Sequence, residues 1–268
     1  MGRMWVCGLL VLMLAACGAN RYDPADLPTL IPSMEQMGTS VALTEVAPPP
    51  GYRGEVSYQR VDETLRELEG WRYDVTLAFD GVFAQTGDPT SARAEATVFF
   101  NQISGARRVL VASSGELLAR PEGESFEAVR LGADAFLVRR GVCLGNAEDD
   151  AMTAAGISAG DLVGGVRRAV PAGQRERING IEAYRYSFTF EDMLLPTVRL
   201  VEDTQITRTD GELWVSPEYD AVVRYWVTME VVQARLLSNN LPVNGRLRLR
   251  YDLRDVGMIP NISVPFGC

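Results

Sequence analysis

"WRYDVTLAFDGVF", residues 71–83, is the stretch that decides the fold. Apolar or aromatic side chains occupy every second position, and polar or small side chains lie between them. The apolar set is Trp71, Tyr73, Val75, Leu77 and Phe79. A period of two is typical of a strand with one buried face and one face in water. We therefore predict a long amphipathic strand here.

The same alternation recurs along the chain. It places Tyr184, Tyr186, Phe188 and Phe190 on one side of a second strand, and it continues through residues 247–253. Further candidate strands span 94–103, 107–112, 125–131, 135–139, 204–209, 211–216 and 222–232. Asn179-Gly180 and Asp210-Gly211 both favour tight hairpin turns. The pattern predicts a meandering antiparallel sheet.

Few segments have helical character. We predict a short helix over 62–68 with Asp62 as its N-cap, a looser one over 148–155, and a clear one in 158–169, where Ser158 and Asp161 have the spacing of a capping box. These are too few for the crossovers that a parallel sheet needs. A sheet that is apolar on one face must curl, stack or lie under a helix to bury it.

The amino terminus carries an export signal. Residues 4–16 form an apolar run of 13, whereas a bilayer span needs about 20. The run follows Arg3 and ends in small residues, which is typical of a secretory signal peptide. Leu14-Ala15-Ala16-Cys17 resembles the lipobox of bacterial lipoproteins, in which the cysteine receives a diacylglycerol and becomes the first residue. The alternative is a buried cysteine in an ordinary signal peptide.

These features divide the chain into three parts. We predict a signal peptide over 1–16, a lipidated amino terminus with a proline-rich tether over 17–54, and one domain over 55–268. Lipid on Cys17 implies an extracytoplasmic protein held on the cell membrane, or on an outer membrane where one exists. Two acyl chains suffice for stable anchoring.

Composition excludes several kinds of chemistry. All 26 basic residues are arginine, histidine is absent, and the formal charge of −9 becomes −10 without residues 1–16, which hold one arginine and no acid. An acidic chain is repelled on average by nucleic acid and anionic headgroups. Without histidine or lysine, the usual activated nucleophiles and Schiff bases are unavailable. We predict no catalytic residues, cofactor or metal.

A carboxylate hydrolase is the enzymatic alternative that these exclusions leave open. The densest acidic cluster is Glu148, Asp149 and Asp150. Three adjacent acids point in different directions, so we interpret them as the solvated start of a helix.

The cysteines predict a disulfide. Cys7 leaves with the signal peptide and Cys17 is assigned to lipid, so Cys143 and Cys268 remain as an even pair in an exported protein. Two free thiols are the alternative.

"RINGIEAYRYSF" (177–188) and "GELWVSPEYDAVVRYWVTMEV" (211–231) carry a likeness to a known group. With the lipobox, the tether and the central helix, the chain resembles the LolA/LolB-like superfamily, and within it the LppX/LprG-type lipoproteins, over about residues 56–256. The resemblance implies an α+β, mainly antiparallel fold: a strongly curved open half-barrel sheet with one or two helices covering its concave face. It further implies a cavity for acyl chains there, and a role in moving or presenting lipids.

The aromatic and apolar strand positions have two interpretations. They line a ligand cavity, or they fill a core, and periodicity alone does not distinguish the two. The resemblance favours a cavity, with the candidates Trp71, Tyr73, Val75, Leu77, Phe79, Tyr184, Tyr186, Phe188, Phe190, Trp214 and Trp226. The leading hypothesis is a membrane-anchored lipoprotein that binds a lipid or acyl chain. The alternative is a structural or interaction lipoprotein of the envelope with a filled core and no ligand.

Overall fold

The computed structural model describes residues 49–199, 204–237 and 239–268. The predicted signal peptide, Cys17 and residues 17–48 of the predicted tether lie outside these residues. Residues from Pro49 onward form one unit by their internal contacts. In the described part of the chain, no helix has both the length and the apolar character that a membrane span requires.

Strands dominate the described residues. Their bounds are β1 Val56–Tyr58, β2 Gly70–Phe83, β3 Pro89–Asn101, β4 Ala106–Gly115, β5 Arg120–Leu131, β6 Asp134–Arg139, β7 Val142–Cys143, β8 Gly165–Ile178, β9 Ile181–Ser187, β10 Met193–Leu194, β11 Val198–Arg199, β12 Gln205–Ser216, β13 Ala221–Leu236 and β14 Val243–Arg254. The α-helices are α1 Glu148–Gly156 and α2 Ala159–Val163. Short 3-10 turns lie at Leu65–Glu67, Glu116–Leu118 and Phe190–Asp192.

All the strands belong to one antiparallel sheet. Its order is β1-β8-β9-β12-β13-β14-β2-β3-β4-β5-β6-β7, with β10 also on β8 and β11 also on β13. Because β1 and β7 do not pair with each other, the sheet stays open. The predicted α+β fold, an open antiparallel half-barrel with two helices, is confirmed.

The apolar face of β2 lies inside the curl of the sheet, and we call it the inner face. The register sets Val75 opposite Tyr251, Tyr251 opposite Tyr225, and Tyr225 opposite Leu213, so one apolar row crosses four strands. Over this row pack β1, α2, the start of β8 and residues 193–198; their members in the core are Val56, Tyr58, Ala159, Val163, Val166, Ala169, Met193 and Val198. The sheet therefore buries its inner face against its own far end and α2.

One predicted turn is confirmed and the other is wrong. Asn179-Gly180 forms the turn between β8 and β9, with φ of 52° and 85°. Asp210-Gly211 is no turn, because β12 runs straight through it with Gly211 opposite Val227. A Cβ on Gly211 would lie 2.7 Å from the Trp226 carbonyl oxygen and 3.0 Å from the Phe188 ring. This glycine provides space for close packing within a strand.

The helix predictions are partly correct. The prediction over 148–155 is confirmed by α1, whose first turn contains the three adjacent acids. In α2, the Ser158 side chain accepts a hydrogen bond from the Asp161 N–H, as predicted. The remainder of 158–169 is strand instead, because Val166 and Ala169 are needed in the core.

The helix predicted over 62–68 is wrong in length and in its cap. Only Leu65–Glu67 is helical, as a 3-10 turn that follows Thr64. Asp62 serves a different segment: its carboxylate accepts hydrogen bonds from the N–H groups of Ala159 (2.9 Å) and Gly160 (3.0 Å). The acid therefore holds α2 in place from across the fold.

The opposite face of the sheet, which we call the outer face, carries ion pairs. Asp252 accepts hydrogen bonds from the Nε of Arg224 at 2.6 Å and the Nε of Arg250 at 2.5 Å. Burial by itself raises the pKa of Asp252, but the hydrogen bonds from Arg250 and Arg224 outweigh burial and lower that pKa below its ordinary value. The ionised form is therefore stabilised in the folded state.

Replacing Asp252 by asparagine is expected to cost about 2 kcal/mol of unfolding free energy at pH 7, below the 3–5 kcal/mol of a fully buried pair because Arg250 is half exposed. Since folding lowers this pKa, the stabilisation is present above the unfolded-state pKa and is lost as the pH falls through the folded-state value. Denaturant unfolding at pH 7 and at successively lower pH measures both effects. Asp80→Asn, which breaks an exposed pair with Arg248, is the control; equal costs for the two variants contradict the prediction.

Candidate functional site

The structure brings together nine of the eleven predicted ligand-contacting residues. Six are buried in the main core, namely Trp71, Tyr73, Val75, Leu77, Phe79 and Tyr186, and three pack half-buried against it, namely Tyr184, Phe188 and Phe190. Trp214 and Trp226 lie on the outer face, where both indole N–H groups donate to Glu212 Oε2, at 3.0 and 3.1 Å. Trp214 packs there in a separate small cluster with Ile178, Ile181, Ala183 and Val223.

The centre of the inner face is filled by its own side chains. Tyr225, Val227, Tyr251 and Leu253 each have 0% of their surface exposed, so no solvent-sized space adjoins them. Trp71 and the other candidate residues on β2 also have almost none of their surface exposed. In this arrangement the central candidates occupy the space between the sheet and its cover.

Tyrosine hydroxyls are the polar groups of this interior. Tyr73 Oη accepts hydrogen bonds from the Ala159 N–H and from Arg107 Nη2, both at 3.1 Å. Burial raises the pKa of Tyr73, against a lowering by Arg107. The buried hydroxyls of Tyr225 and Tyr251 have no hydrogen-bond partner among the described residues, and burial raises the pKa of each. The interior thus contains neutral hydroxyls, and an unsatisfied buried one costs about 1–3 kcal/mol.

A polar opening leads toward the inner face, and we call it the mouth. It has a volume of about 350 Å³, and its lining includes Arg60, Asp62, Leu65, Trp71, Arg107, Gly156 and Ser158. The Arg107 guanidinium lies 5.8 Å from the centroid of the Trp71 ring. Arg60 pairs with Asp161 at 3.1 Å, so the rim carries both signs of charge. Arg107 was not among the predicted site residues, because nothing in its strand pattern distinguishes it from the other arginines.

Helix α1 covers a different part of the inner face, which we call the α1 strip. The strip consists of Ala128 on β5 and Leu137 on β6, which continue a register row that passes through Val98 and Val109 of the main core. The next row contains Val111 and Phe126, both half-buried. From α1, Ala151 and Ala155 are the buried residues that pack on Ala128 and Leu137. The contact between helix and sheet is therefore made largely by small side chains.

Both ends of α1 are fastened. Before the helix, Cys143 on β7 forms a disulfide with Cys268, with a Cα–Cα distance of 5.4 Å. After the helix, Arg107 Nη2 donates to the Ile157 carbonyl oxygen at 2.6 Å. The predicted disulfide is confirmed, which excludes the alternative of two free thiols. Any movement of α1 has to occur between these two attachments.

The outer face carries depressions of a different character. Two adjoining ones, of about 430 and 420 Å³, lie across β3–β6 and share Glu95, Ala112, Ser125 and Arg140. Their walls combine charged side chains, such as Glu95 and Arg140, with apolar ones, such as Leu110 and Val138. Within residues 49–199, 204–237 and 239–268, no three cysteine or acidic side chains group as metal ligands would.

Comparisons with known proteins were made by sequence and by structure. No family model matches the chain, and no curated protein matches it. Among solved structures, LprF from Mycobacterium bovis is similar at 13% identity and a TM-score of 0.33, covering 78% of this chain and 94% of that one.

Two further solved structures are similar at a lower level. A LolA superfamily protein from Nitrosomonas europaea has 11% identity and a TM-score of 0.22, with 78% and 96% of the two chains covered. A DUF1329 family protein from Desulfovibrio piger has 12% identity and a TM-score of 0.15, with 72% and 90% covered. LprF and the LolA superfamily protein belong to the group that the sequence resembles.

Proposed function

We propose that this chain is an extracytoplasmic lipoprotein, anchored through a diacylglycerol on Cys17, that binds the acyl chain of a lipid on the inner face beneath α1. It acts by binding and presenting the lipid, without catalysis. The observation that carries the proposal is the way α1 covers an apolar strip through alanine side chains.

Alanine contacts hold a helix weakly. Burying one methyl group contributes about 0.8 kcal/mol, whereas a buried leucine or phenylalanine side chain contributes about 1.5–3 kcal/mol. The cover over the centre includes Tyr58 and Leu65, both almost fully buried. Helix α1 has Ala151 and Ala155 in the equivalent position. Of the two covers, α1 is therefore the easier to displace, and displacing it exposes the α1 strip.

The exposed strip has the shape and chemistry of a lipid site. It lies on two strands, and the register row that contains it continues over Val109 and Val98, so the whole apolar row runs about 14 Å across four strands spaced about 4.8 Å apart. Val111 and Phe126 extend it on one side, and the mouth with its arginines and acids lies at the other side of α1. A hydrocarbon chain on the strip and a polar group at the mouth match the two ends of an amphiphile.

Lipid uptake by the full mature chain tests the binding proposal. We expect native mass spectrometry to detect co-purified lipid beyond the amino-terminal acyl groups, and a fluorescent fatty acid to bind saturably. Phe126→Ser, in the row beside the strip, is expected to weaken probe binding, whereas Leu110→Ser, on the outer face of the same strands, leaves it unchanged. Absence of both lipid and saturable uptake would contradict the proposal.

The anchor has its own test. Cys17→Ala is expected to move the chain from the membrane fraction to the aqueous phase, because it removes the residue that would carry the two anchoring acyl chains. Detergent phase partitioning measures this, and the mass of the amino-terminal peptide shows whether lipid is attached. An amino-terminal peptide of the parent chain whose mass includes no diacylglycerol contradicts the anchor.

A second candidate function has an observation of its own. The fully buried centre around Tyr225 and Tyr251 favours a structural or interaction lipoprotein with no ligand. The two candidates differ only in what happens beneath α1. A chain without lipid that retrieves an envelope protein partner supports this second function.

A further inference from the structure

Exposed apolar side chains are concentrated on one segment. Among the described residues, eight large hydrophobic side chains are exposed, and six lie on residues 255–268 or on parts of the fold next to them: Ile103, Val142, Met258, Ile259, Val264 and Phe266. Phe266 is 100% exposed. We call residues 255–268 the apolar strap. Grouped exposed apolar residues mark contact surfaces more often than scattered ones do.

Hydrogen bonds, a close backbone contact and the disulfide hold the strap against the domain. The Gly257 N–H donates to the Gly70 carbonyl oxygen at 2.9 Å, and Asn101 Nδ2 donates to the Pro260 carbonyl oxygen at 3.0 Å. A Cβ on Gly70 would lie 2.5 Å from the Met258 carbonyl oxygen, so this approach requires glycine. The disulfide fastens Cys268 to β7. The outward direction of these apolar side chains is therefore built into the fold.

The strap lies at one end of the sheet, which we call the base. Strand β14 ends at Arg254, opposite Arg72, so the strap leaves where β2 begins. Ile103 lies in the turn from β3 to β4 at this same end. The mouth is also here, because Trp71 follows the first residue of β2.

The incoming chain reaches the same end. The turn of residues 217–220 joins β12 to β13 at the base, since the start of β13 pairs near the end of β14. A Cβ on Gly51 would lie 2.6 Å from the Pro217 carbonyl oxygen, so the chain near Pro49 packs against this turn. The route from Cys17 therefore joins the domain at its base.

The length of the chain between Cys17 and Pro49 favours the bilayer as the partner of the apolar strap. Cys17 and Pro49 are 32 residues apart, so even a fully extended chain would hold the base within about 110 Å of an anchored Cys17. In an anchored chain, the base is therefore the end of the domain that is joined to the lipid. The strap has one charged side chain, Asp255, and no arginine. Its contact with lipid thus depends on apolar insertion rather than on attraction to charged headgroups.

We infer that the apolar strap docks on the bilayer to which the chain is anchored, with Met258, Ile259 and Phe266 in the interface. The inference rests on the anchor proposed above for Cys17. Docking by the base turns the mouth toward the membrane surface, so a lipid passes from bilayer to α1 strip without crossing open water.

Fluorescence quenching tests this orientation. The acylated full mature chain is reconstituted with vesicles of brominated phosphatidylcholine, and the emission of Phe266→Trp is measured after subtraction of the parent chain's signal. We expect a blue shift and a loss of emission. Leu241→Trp, exposed at the opposite end between β13 and β14, is the matched control and keeps its emission. Equal quenching of the two variants, or none at Phe266, overturns the inference.

A second measurement does not depend on the anchor. The unacylated Cys17→Ser chain is sedimented with phosphatidylcholine vesicles, and replacing Met258 and Phe266 together by serine is expected to weaken its partitioning by about tenfold or more. Leu241→Ser is the control. Unchanged partitioning, or self-association through the strap in analytical ultracentrifugation, overturns the inference. A chain that is never acylated but whose strap still partitions contradicts only the anchor.

Discussion

Replacing Cys143 and Cys268 together by serine is expected to lower the free energy of unfolding by about 2–5 kcal/mol. The two cysteines are 125 residues apart, so the bond removes a large loop from the unfolded ensemble. In the folded state it joins the edge strand β7 to the apolar strap. Urea unfolding of the full mature chain, followed by tryptophan fluorescence, measures the loss.

Reduction of the parent chain provides an independent route to the same state. Its stability under reductant is expected to equal that of the double variant, and the variant itself is expected to be insensitive to reductant. Cys17→Ser, which removes the proposed acylation site and leaves the disulfide in place, is the control and is expected to keep the parent stability. A loss below about 1 kcal/mol contradicts the prediction, because the loop-closure argument requires more.

Ala155→Leu is expected to raise the rate of fatty-acid uptake about tenfold. Residue 155 is fully buried between α1 and the sheet, and overpacking such a site costs about 1–3 kcal/mol. Overpacking raises the free energy of the closed arrangement only, because the leucine no longer contacts the sheet once α1 is displaced. A difference of 1.4 kcal/mol changes the open population tenfold. Stopped-flow uptake of a fluorescent fatty acid measures the effect.

Thr153→Leu is the matched control, since residue 153 lies on the exposed side of the same helix. Hydrogen exchange of the α1 amides tells whether the cover has loosened, and we expect faster exchange in Ala155→Leu alone. Faster exchange with unchanged uptake would show that the ligand does not enter beneath α1. Unchanged exchange would show that the alanine contacts do not control the cover.

Strict alternation made the central strands predictable. In β2 and β14 every second residue is apolar, and these two strands pair along their full length. The start of β8 was missed because its glycines and arginines resemble the end of a helix, although Val166 is drawn into the core by residues far away in sequence. The turn prediction at Asp210-Gly211 was wrong because glycine occurs both in turns and where another part of the chain packs very close to the backbone. Only the neighbouring Phe188 ring, which the sequence does not reveal, shows that Gly211 is the second kind.

The site was less accessible to sequence reasoning than the fold. Periodicity identified the apolar side of β2 but not whether that side is covered, because the cover comes from β1, α2 and β8. Trp214 and Trp226 were assigned to the ligand from their aromatic character, but strand alternation beside the inner-facing Leu213 and Tyr225 sets both on the outer face. There both indole N–H groups donate to Glu212. The mouth depends on Arg107 and Asp62, which meet only in the folded chain.

The sequence separation of the two bonded cysteines also determines how early their disulfide can form. If the chain is exported as proposed, Cys143 leaves the translocation channel well before Cys268, so it stays a free thiol while 125 further residues follow. Throughout this interval it is open to mispairing in an oxidising compartment. Under this proposal, correct pairing depends on how fast residues 144–268 are delivered relative to the rate of thiol oxidation, and slow delivery is expected to yield mixed disulfides.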